Sequence, residues 1–258
     1  MLLSPRLRAA FRYLSTTDPV YKWRIGKGPC PSCGGGPFIS MLSDRASLVD
    51  TPFMTRCLKC RANVTNLSLI PVIRQHSERF TVQSCYEMST YGATLDYLAA
   101  TFPTVTTSEY HPGVPPGEVV DGIRNEDVQQ LSFADASFDV VTCNQVFEHV
   151  PDDVQGYAEC YRVLRPGGAL IFSIPMSRAA VTRQAASIVD GEIVHHMTPE
   201  YHDSRLGGPN TALVFWHHSI NDICERVERA GFKTTLADVM ITRAQLVPQK
   251  VIYAVKPI

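Results

Sequence analysis

The sequence predicts an α/β fold, a doubly wound and mostly parallel sheet, with a small metal-binding module in front of it. Three observations carry this. Phe138–Pro175 reads as strand, helix and strand in succession, the unit from which parallel sheets are built. Two C-x-x-C pairs, Cys30/Cys33 and Cys57/Cys60, are separated by 23 residues. A chain of 258 residues with 45% hydrophobic content has room for one large core and a module beside it.

In chain order, Met1–Leu14 reads as a short amphipathic helix, with Leu3, Leu7, Phe11 and Leu14 on one face. Its arginines also suit peripheral contact with a membrane surface through residues 1–14. Asp18-Pro19 breaks it. No apolar run reaches the length of a membrane span and no cleavable signal is evident, so a cytoplasmic protein is expected. Charge is unevenly spread. Residues 1–75 hold eleven Lys or Arg against three acids, +8, and the remainder is −9. A basic module before an acidic one suits nucleic acid, anionic lipid or a phosphorylated substrate, or the docking of one half on the other.

Cys30, Cys33, Cys57 and Cys60 are the expected ligands of a structural zinc ion. Each knuckle turns two thiolates onto one metal, and four protein thiolates leave no open position for a catalytic water. Cys85, Cys143, Cys160 and Cys224 fall in expected strands and helices and read as small buried hydrophobes. Residues 61–78 look helical and join this module, 1–75, to the α/β domain, 76–258.

The domain is expected to open with a strand over Phe80–Tyr86, a turn Glu87-Met-Ser89-Thr-Tyr-Gly92 and a helix over Ala93–Ala100. A second strand covers Val105–Ser108, with Glu109 at its end, and a proline-rich loop His111–Gly117 follows. Phe138 to Cys143 is a short apolar run suited to a strand buried on both faces. From Asp152 to Leu164 apolar residues recur at three- and four-residue steps, a helix, which Arg165-Pro166-Gly167-Gly168 ends. Ala169–Ile174 is the next buried strand. Ligands of open α/β sheets bind beyond the carboxyl ends of such strands, which places Asn144–Val150 and Pro175–Ser177 at the chemistry. Residues 177–218 form a long insertion there with five histidines, among them His195, His196 and His202, and long insertions at that edge serve as lids or substrate loops. A capped helix from Ser219 to Gly231 and a closing strand pair, Phe232–Ile241 and Lys250–Val255, complete the chain.

FDVV…EHV…YRVLRPGG…FSIP resembles the second half of class I S-adenosylmethionine-dependent methyltransferases of the type 11 group, over roughly residues 79–175. The resemblance implies a Rossmann-like, mostly parallel seven-stranded sheet with an antiparallel edge hairpin. It implies S-adenosylmethionine as cofactor, held by Glu87, Ser89 and Gly92 in the glycine-loop position, by Glu109 at the ribose and Tyr110 at the adenine, by Asp127 and Val128 at the adenine edge, and by Asn144. The chain departs from the family where Ser89 replaces the first glycine of G-x-G-x-G and the middle glycine is missing. In related quinone-pathway O-methyltransferases E-x-x-E-H follows the fourth strand and resembles a divalent-metal site. Here Gln145 replaces the first acid before Glu148-His149, which argues against a metal and leaves His149 as candidate base, with His195, His196 and His202 as rivals. The expected function is methylation of a small molecule or a glycan or natural-product precursor, at oxygen or nitrogen. An RNA methyltransferase gripping its substrate with the basic zinc module, and a non-catalytic binding protein on the same fold, are the alternatives.

Overall fold

The computed structural model describes residues 22–42 and 51–258. The expected helix Met1–Leu14, and any membrane contact through it, lie outside the described residues.

Among the described residues the central sheet has six strands. Ser84–Glu87, Thr104–Thr107, Phe138–Asn144 and Leu164–Ser173 run parallel, in the spatial order second, first, third, fourth. Gln249–Val255 adds antiparallel beside Leu164–Ser173, and Lys233–Val239 pairs antiparallel with it at the edge. The sheet is therefore Rossmann-like with the expected edge hairpin, but its count corrects the expectation of seven strands. The reason lies after Glu109. Pro112, Pro115 and Pro116 prevent a crossover helix, and the chain returns as the short hairpin Val119–Val120/Ile123–Arg124. A single parallel bridge, Glu109 to Asn125, stands where a seventh strand would have run.

Helices cover both faces. Asp153–Val163 and Ile223–Glu228 pack one side around Val141, Tyr157, Val163, Leu170, Phe172 and Ile252, all fully buried. Leu69–Ser77 and Ala93–Thr101 pack the other around Ile73, Leu98, Val140, Ile171 and Val251. The side chain of Asp152 accepts from the Gln155 amide and caps the start of its helix. That helix passes without a loop into the strand, which begins at Leu164 rather than after the glycines.

The cysteine module is a three-stranded antiparallel sheet, Lys22–Gly26, Phe38–Leu42 and Thr55–Cys57. Its knuckles are built alike: the residue after the second cysteine takes a left-handed conformation in both, Gly34 at φ 66° and Arg61 at φ 67°. The module shares one apolar cluster with the domain, in which Phe38 and Cys57 meet Val64, Leu67, Ile70, Ala93 and Ala244. Contact is close. A Cβ on Gly26 would lie 2.6 Å from the Ala244 amide nitrogen.

Residues 176–219 form small sheets. Ala186–Val189 pairs with Glu192–His195, Tyr201–Ser204 with Gly208–Leu213, and Trp216–Ser219 lies between Met176–Ser177 and Arg183–Gln184. The insertion docks on the 3-10 turn Phe147–His149 through successive backbone groups. Leu213 O accepts from the His149 ring and the Phe215 amide donates to Glu148 O, while the Val214 amide between them donates to Glu200 O within the insertion. Trp216 Nε1 donates to Val150 O at 3.0 Å. Beneath it Asp153 is fully buried between His218 (3.0 Å) and Arg226 (2.7 Å). Burial opposes its ionisation, but those two partners outweigh burial and hold the carboxyl below its usual range.

Candidate functional site

Two groups of residues meet at the carboxyl edge of the parallel strands. The first surrounds Glu87, the last residue of its strand, 2% exposed and hydrogen-bonded to the Thr142 hydroxyl. Burial raises its carboxyl to about 8, against the lowering effect of the Thr142 bond. Gly92, at φ +110°, turns the chain into the helix Ala93–Thr101, and a Cβ added there would meet nothing within 4 Å. No side chain caps that helix among the described residues, so its first amides face the turn. Asn144 Nδ2 donates to Thr94 Oγ1 (3.2 Å), and Thr94 in turn donates to Asn66 O (2.8 Å). Glu87, Ser89, Gly92 and Asn144 line one cavity of about 60 Å³ together with Asn66, Tyr91 and Thr94.

Four of the eight expected cofactor residues thus share a cavity, and the others surround it less directly. Glu109 Oε1 accepts from the Thr90 amide (2.9 Å) and hydroxyl (2.6 Å), and from Arg205 Nη1 at 3.0 Å. Arg205, at the tip of the hairpin Tyr201–Leu213, also stacks over the Tyr91 ring, 4.7 Å from its centroid. Tyr110 is 57% exposed. Asp127 Oδ1 accepts from the Gln129 amide (2.9 Å), and the Val128 side chain is buried in the main core. Asn66, Thr94 and Arg205 escaped the sequence reading. Asn66 and Arg205 lie far along the chain from the turn they meet, and Thr94, inside the expected helix, meets Asn144 fifty residues on; neither motif nor spacing announces those contacts.

The second group follows Asn144. Gln145, at φ +55°, bends the chain out of the strand and directs its side chain back to Ser173 Oγ (3.2 Å). Glu148 is 1% exposed, and neither carboxylate oxygen has a hydrogen-bond partner among the described residues. Burial lifts its carboxyl to about 8. His149 Nε2 stands 3.7 Å from Glu148 Oε1, and His202 Nδ1 stands 3.9 Å from the same oxygen. The two imidazoles meet edge to face, 4.9 Å between centroids. Burial pushes His149 down to about 4, against its bond to the Leu213 carbonyl. Of the four candidate histidines the structure brings together His149 and His202. His195 and His196 sit exposed at the end of the other hairpin, His196 Nε2 being 2.9 Å from Ser187 Oγ.

The four module sulfurs form a third group, all within 4.8 Å of one another. Cys30 and Cys60 Sγ are 3.7 Å apart, and Cys33 and Cys57 Sγ 3.8 Å. Those gaps exceed a disulfide bond of about 2.0 Å. Burial opposes ionisation of Cys33, but the Gly35 amide and the neighbouring sulfurs bring its thiol down to about 7.

Residues 89–172 match a family model, Methyltransf_11, described as a methyltransferase domain. Among curated proteins, the ubiquinone biosynthesis O-methyltransferase of Hahella chejuensis is 37% identical over 120 residues, 44% of this chain and 48% of that protein. A probable S-adenosylmethionine-dependent methyltransferase of Mycolicibacterium smegmatis is 49% identical over 53 residues, 20% and 21% of the two chains. This chain therefore spans about half or less of the length of these relatives. Among solved structures, the S-adenosylmethionine-bound amino pentose methyltransferase CalS10 of Micromonospora echinaspora shows a TM-score of 0.49 at 15% identity, over 74% of this chain and 91% of that one. The likeness to a methyltransferase domain falls on residues 89–172, about a third of the chain. Among the described residues no helix is long and apolar enough to cross a membrane.

Proposed function

We propose that the chain is an S-adenosylmethionine-dependent methyltransferase acting on the hydroxyl of a small molecule. The observation that carries this is the meeting, at one sheet edge, of the cavity around Glu87 with the buried cluster of Glu148, His149 and His202. The Hahella relative's description as an O-methyltransferase supports oxygen as the acceptor atom.

When bound, S-adenosylmethionine supplies a methyl group activated by the sulfonium. The residues present fit it. Glu87 offers a buried carboxylate to its cationic end, and Asn144 an amide. The uncapped amides of helix Ala93–Thr101 suit its carboxylate. Glu109 is the ribose acceptor once Arg205 yields its oxygen. Tyr110, Asp127 and Val128 flank the adenine end.

On the acceptor side, His149 is the group placed to take a hydroxyl proton. Its Nδ1 lies 2.8 Å from Leu213 O, which can only accept, so Nδ1 carries the hydrogen and Nε2 carries the lone pair. Burial pushes the ring to about 4, so its lone pair is free at neutral pH while its strength as a base is reduced. The insertion packs against this pair through the Leu213 carbonyl and His202.

The four thiolates fit a structural zinc ion. Sulfurs at about 2.3 Å from a common tetrahedral ion lie about 3.8 Å apart, close to the 3.7 and 3.8 Å found. The ion braces the module whose cluster includes Ala93, the first residue of the cofactor helix.

The deciding experiment is calorimetric titration of the full chain with S-adenosylmethionine, followed by turnover on phenolic and sugar hydroxyl acceptors. Micromolar binding and release of S-adenosylhomocysteine support the reading. A folded, zinc-loaded chain that binds no cofactor refutes it in favour of a binding protein.

A further inference from the structure

Where the insertion meets the start of helix Asp153–Val163 it leaves a second cavity, open to solvent, of about 490 Å³ against about 60 Å³ at Glu87. That volume falls within the roughly 300–1,000 Å³ of small-molecule sites. None of its lining residues belongs to the cofactor cavity or to the cluster at Glu148. Five of the eight lining side chains are polar, so this is no leftover gap in the core.

Its walls are fixed. Trp216 Nε1 donates to Val150 O (3.0 Å) and to Pro151 O (3.2 Å), which holds the indole against the turn. The Arg226 guanidinium stacks on that ring, 4.1 Å from its centroid, and grips both oxygens of the buried Asp153 through Nε and Nη2. Gln184 stands directly opposite Trp216 in the ladder, so both side chains leave on one face. The hairpin Ala186–Val189/Glu192–His195 supplies the far wall through Ser187 and Ile188.

Three polar groups in this frame have no hydrogen-bond partner among the described residues. They are Arg226 Nη1, the Gln184 carboxamide, and Asp152 Oδ2, whose companion oxygen caps the helix. Together they offer donors and acceptors beside an apolar side made by Trp216 and Ile188. Charge narrows the choice. The Arg226 cation is matched by Asp153, and Asp152 adds a carboxylate, so a phosphate or carboxylate ligand meets repulsion. A wholly apolar ring would desolvate these polar groups without pairing them. What fits is a neutral ring whose hydroxyls both donate and accept and whose C–H face can lie beside an indole.

We propose that this cavity binds a sugar ring, with Gln184, Asp152 and Arg226 on its hydroxyls and Trp216 and Ile188 along its C–H face. For its consequence the proposal rests on the hydroxyl-methylation reading and narrows its substrate to a glycosylated acceptor. Pro151 follows His149 by two residues, at most about 7 Å of backbone. A ring held here therefore anchors an acceptor whose next hydroxyl-bearing unit lies toward His149, and its binding energy positions the reacting oxygen.

The test uses the full, zinc-loaded chain without cofactor and saturation-transfer NMR with the methyl glycosides of glucose, galactose, mannose and xylose. At least one should bind saturably in the millimolar range. I188R, which fills the cavity from a residue that is 50% exposed, and Q184A should each weaken that binding about tenfold or more. Glucose 1-phosphate should bind no more tightly than methyl glucoside. Circular dichroism shows that each variant is folded. Absence of saturable binding by the folded wild-type chain overturns the proposal. So does binding that survives in both I188R and Q184A, or a preference for the phosphate. S-adenosylmethionine affinity, measured on the same samples, should be unchanged in both variants, since neither touches the Glu87 cavity. Sugar binding by a chain that binds no S-adenosylmethionine supports the cavity's assignment and refutes the methyltransferase reading alone.

Discussion

Replacing Glu87 by Gln separates the cost of a buried acid from its use. The side chain is 2% exposed and its carboxyl stands at about 8, where the ordinary value is 4.5. A group whose folded pKa is raised contributes stability that is complete below the ordinary value and is lost as pH rises through the folded one. Each pH unit inside that window is worth about 1.4 kcal/mol, so about 3 kcal/mol has been lost by pH 7. His76 and His149, both pushed by burial down to about 4, act oppositely and only below pH 6.5. Above pH 6.5 their part is gone. Glu148, also raised to about 8, and Cys33, lowered to about 7, titrate there in both proteins. The difference between the two curves from pH 6.5 to 8 therefore isolates Glu87, at about 1–2 kcal/mol. Urea unfolding of both proteins without cofactor should show E87Q gaining on wild type by that amount across the window. Subtracting one curve from the other removes every other titrating group. The same variant should bind S-adenosylmethionine about 1.5–3 kcal/mol more weakly, the worth of a hydrogen bond to a charged group. Wild type alone should release a proton on binding at pH 7, seen as buffer-dependent heats. Parallel stability curves from pH 6.5 to 8 would show that Glu87 does not titrate there, and the argument from burial would fail.

Cys57→Ser should remove about one equivalent of zinc on metal analysis and lower the melting temperature. Because Ala93 shares the module's apolar cluster, it should also loosen cofactor binding. Glu109→Ala should weaken cofactor binding by about 1.5–3 kcal/mol, while Arg205→Ala, which frees the Glu109 oxygen, should strengthen it; calorimetry reads both, and a weaker R205A would show that Arg205 holds the cofactor instead of competing with it. His149→Ala should abolish turnover with cofactor affinity intact, and His195→Ala and His196→Ala, on the exposed hairpin, should leave turnover within a few-fold of wild type. Gly26→Ala should destabilise the chain by about 1–3 kcal/mol in urea, since its Cβ would press on the Ala244 backbone.

The parts of the molecule legible in the sequence are those written locally. Phe138–Ser173 announces itself by a change of hydrophobic period, and the two knuckles by their paired C-x-x-C spacing, whose four sulfurs the fold brings into one group. Glu87 and Gly92 are visible because a strand end, a turn and a helix start must follow one another closely. The turn at Arg165–Gly168 was misplaced for an equally local reason. Proline and two glycines are breakers in isolation. Here the strand begins at Leu164, where Gly167 N and Gly168 O are held by Lys256 O and N from the neighbouring strand. The seventh strand was expected from resemblance alone, against three prolines that locally forbid the helix feeding it.

The insertion was illegible because its meaning is in pairings between distant residues. Its histidines look alike along the chain. What distinguishes His202 from His195 is that Leu213 and Phe215 bond to His149 and Glu148, which lays one hairpin against the turn and leaves the other outside. The docked hairpin carries His202 and Arg205 three residues apart on one arm. The first faces Glu148 and the second holds Glu109. An arm that short moves as one piece, so freeing Glu109 for a ribose disturbs the spacing at Glu148, and seating His202 brings Arg205 back toward Glu109. On the proposed reading the donor and acceptor halves of the site are thus tied through four residues of a β-hairpin. Changes at its tip, Arg205→Ala above all, should appear in both cofactor affinity and turnover.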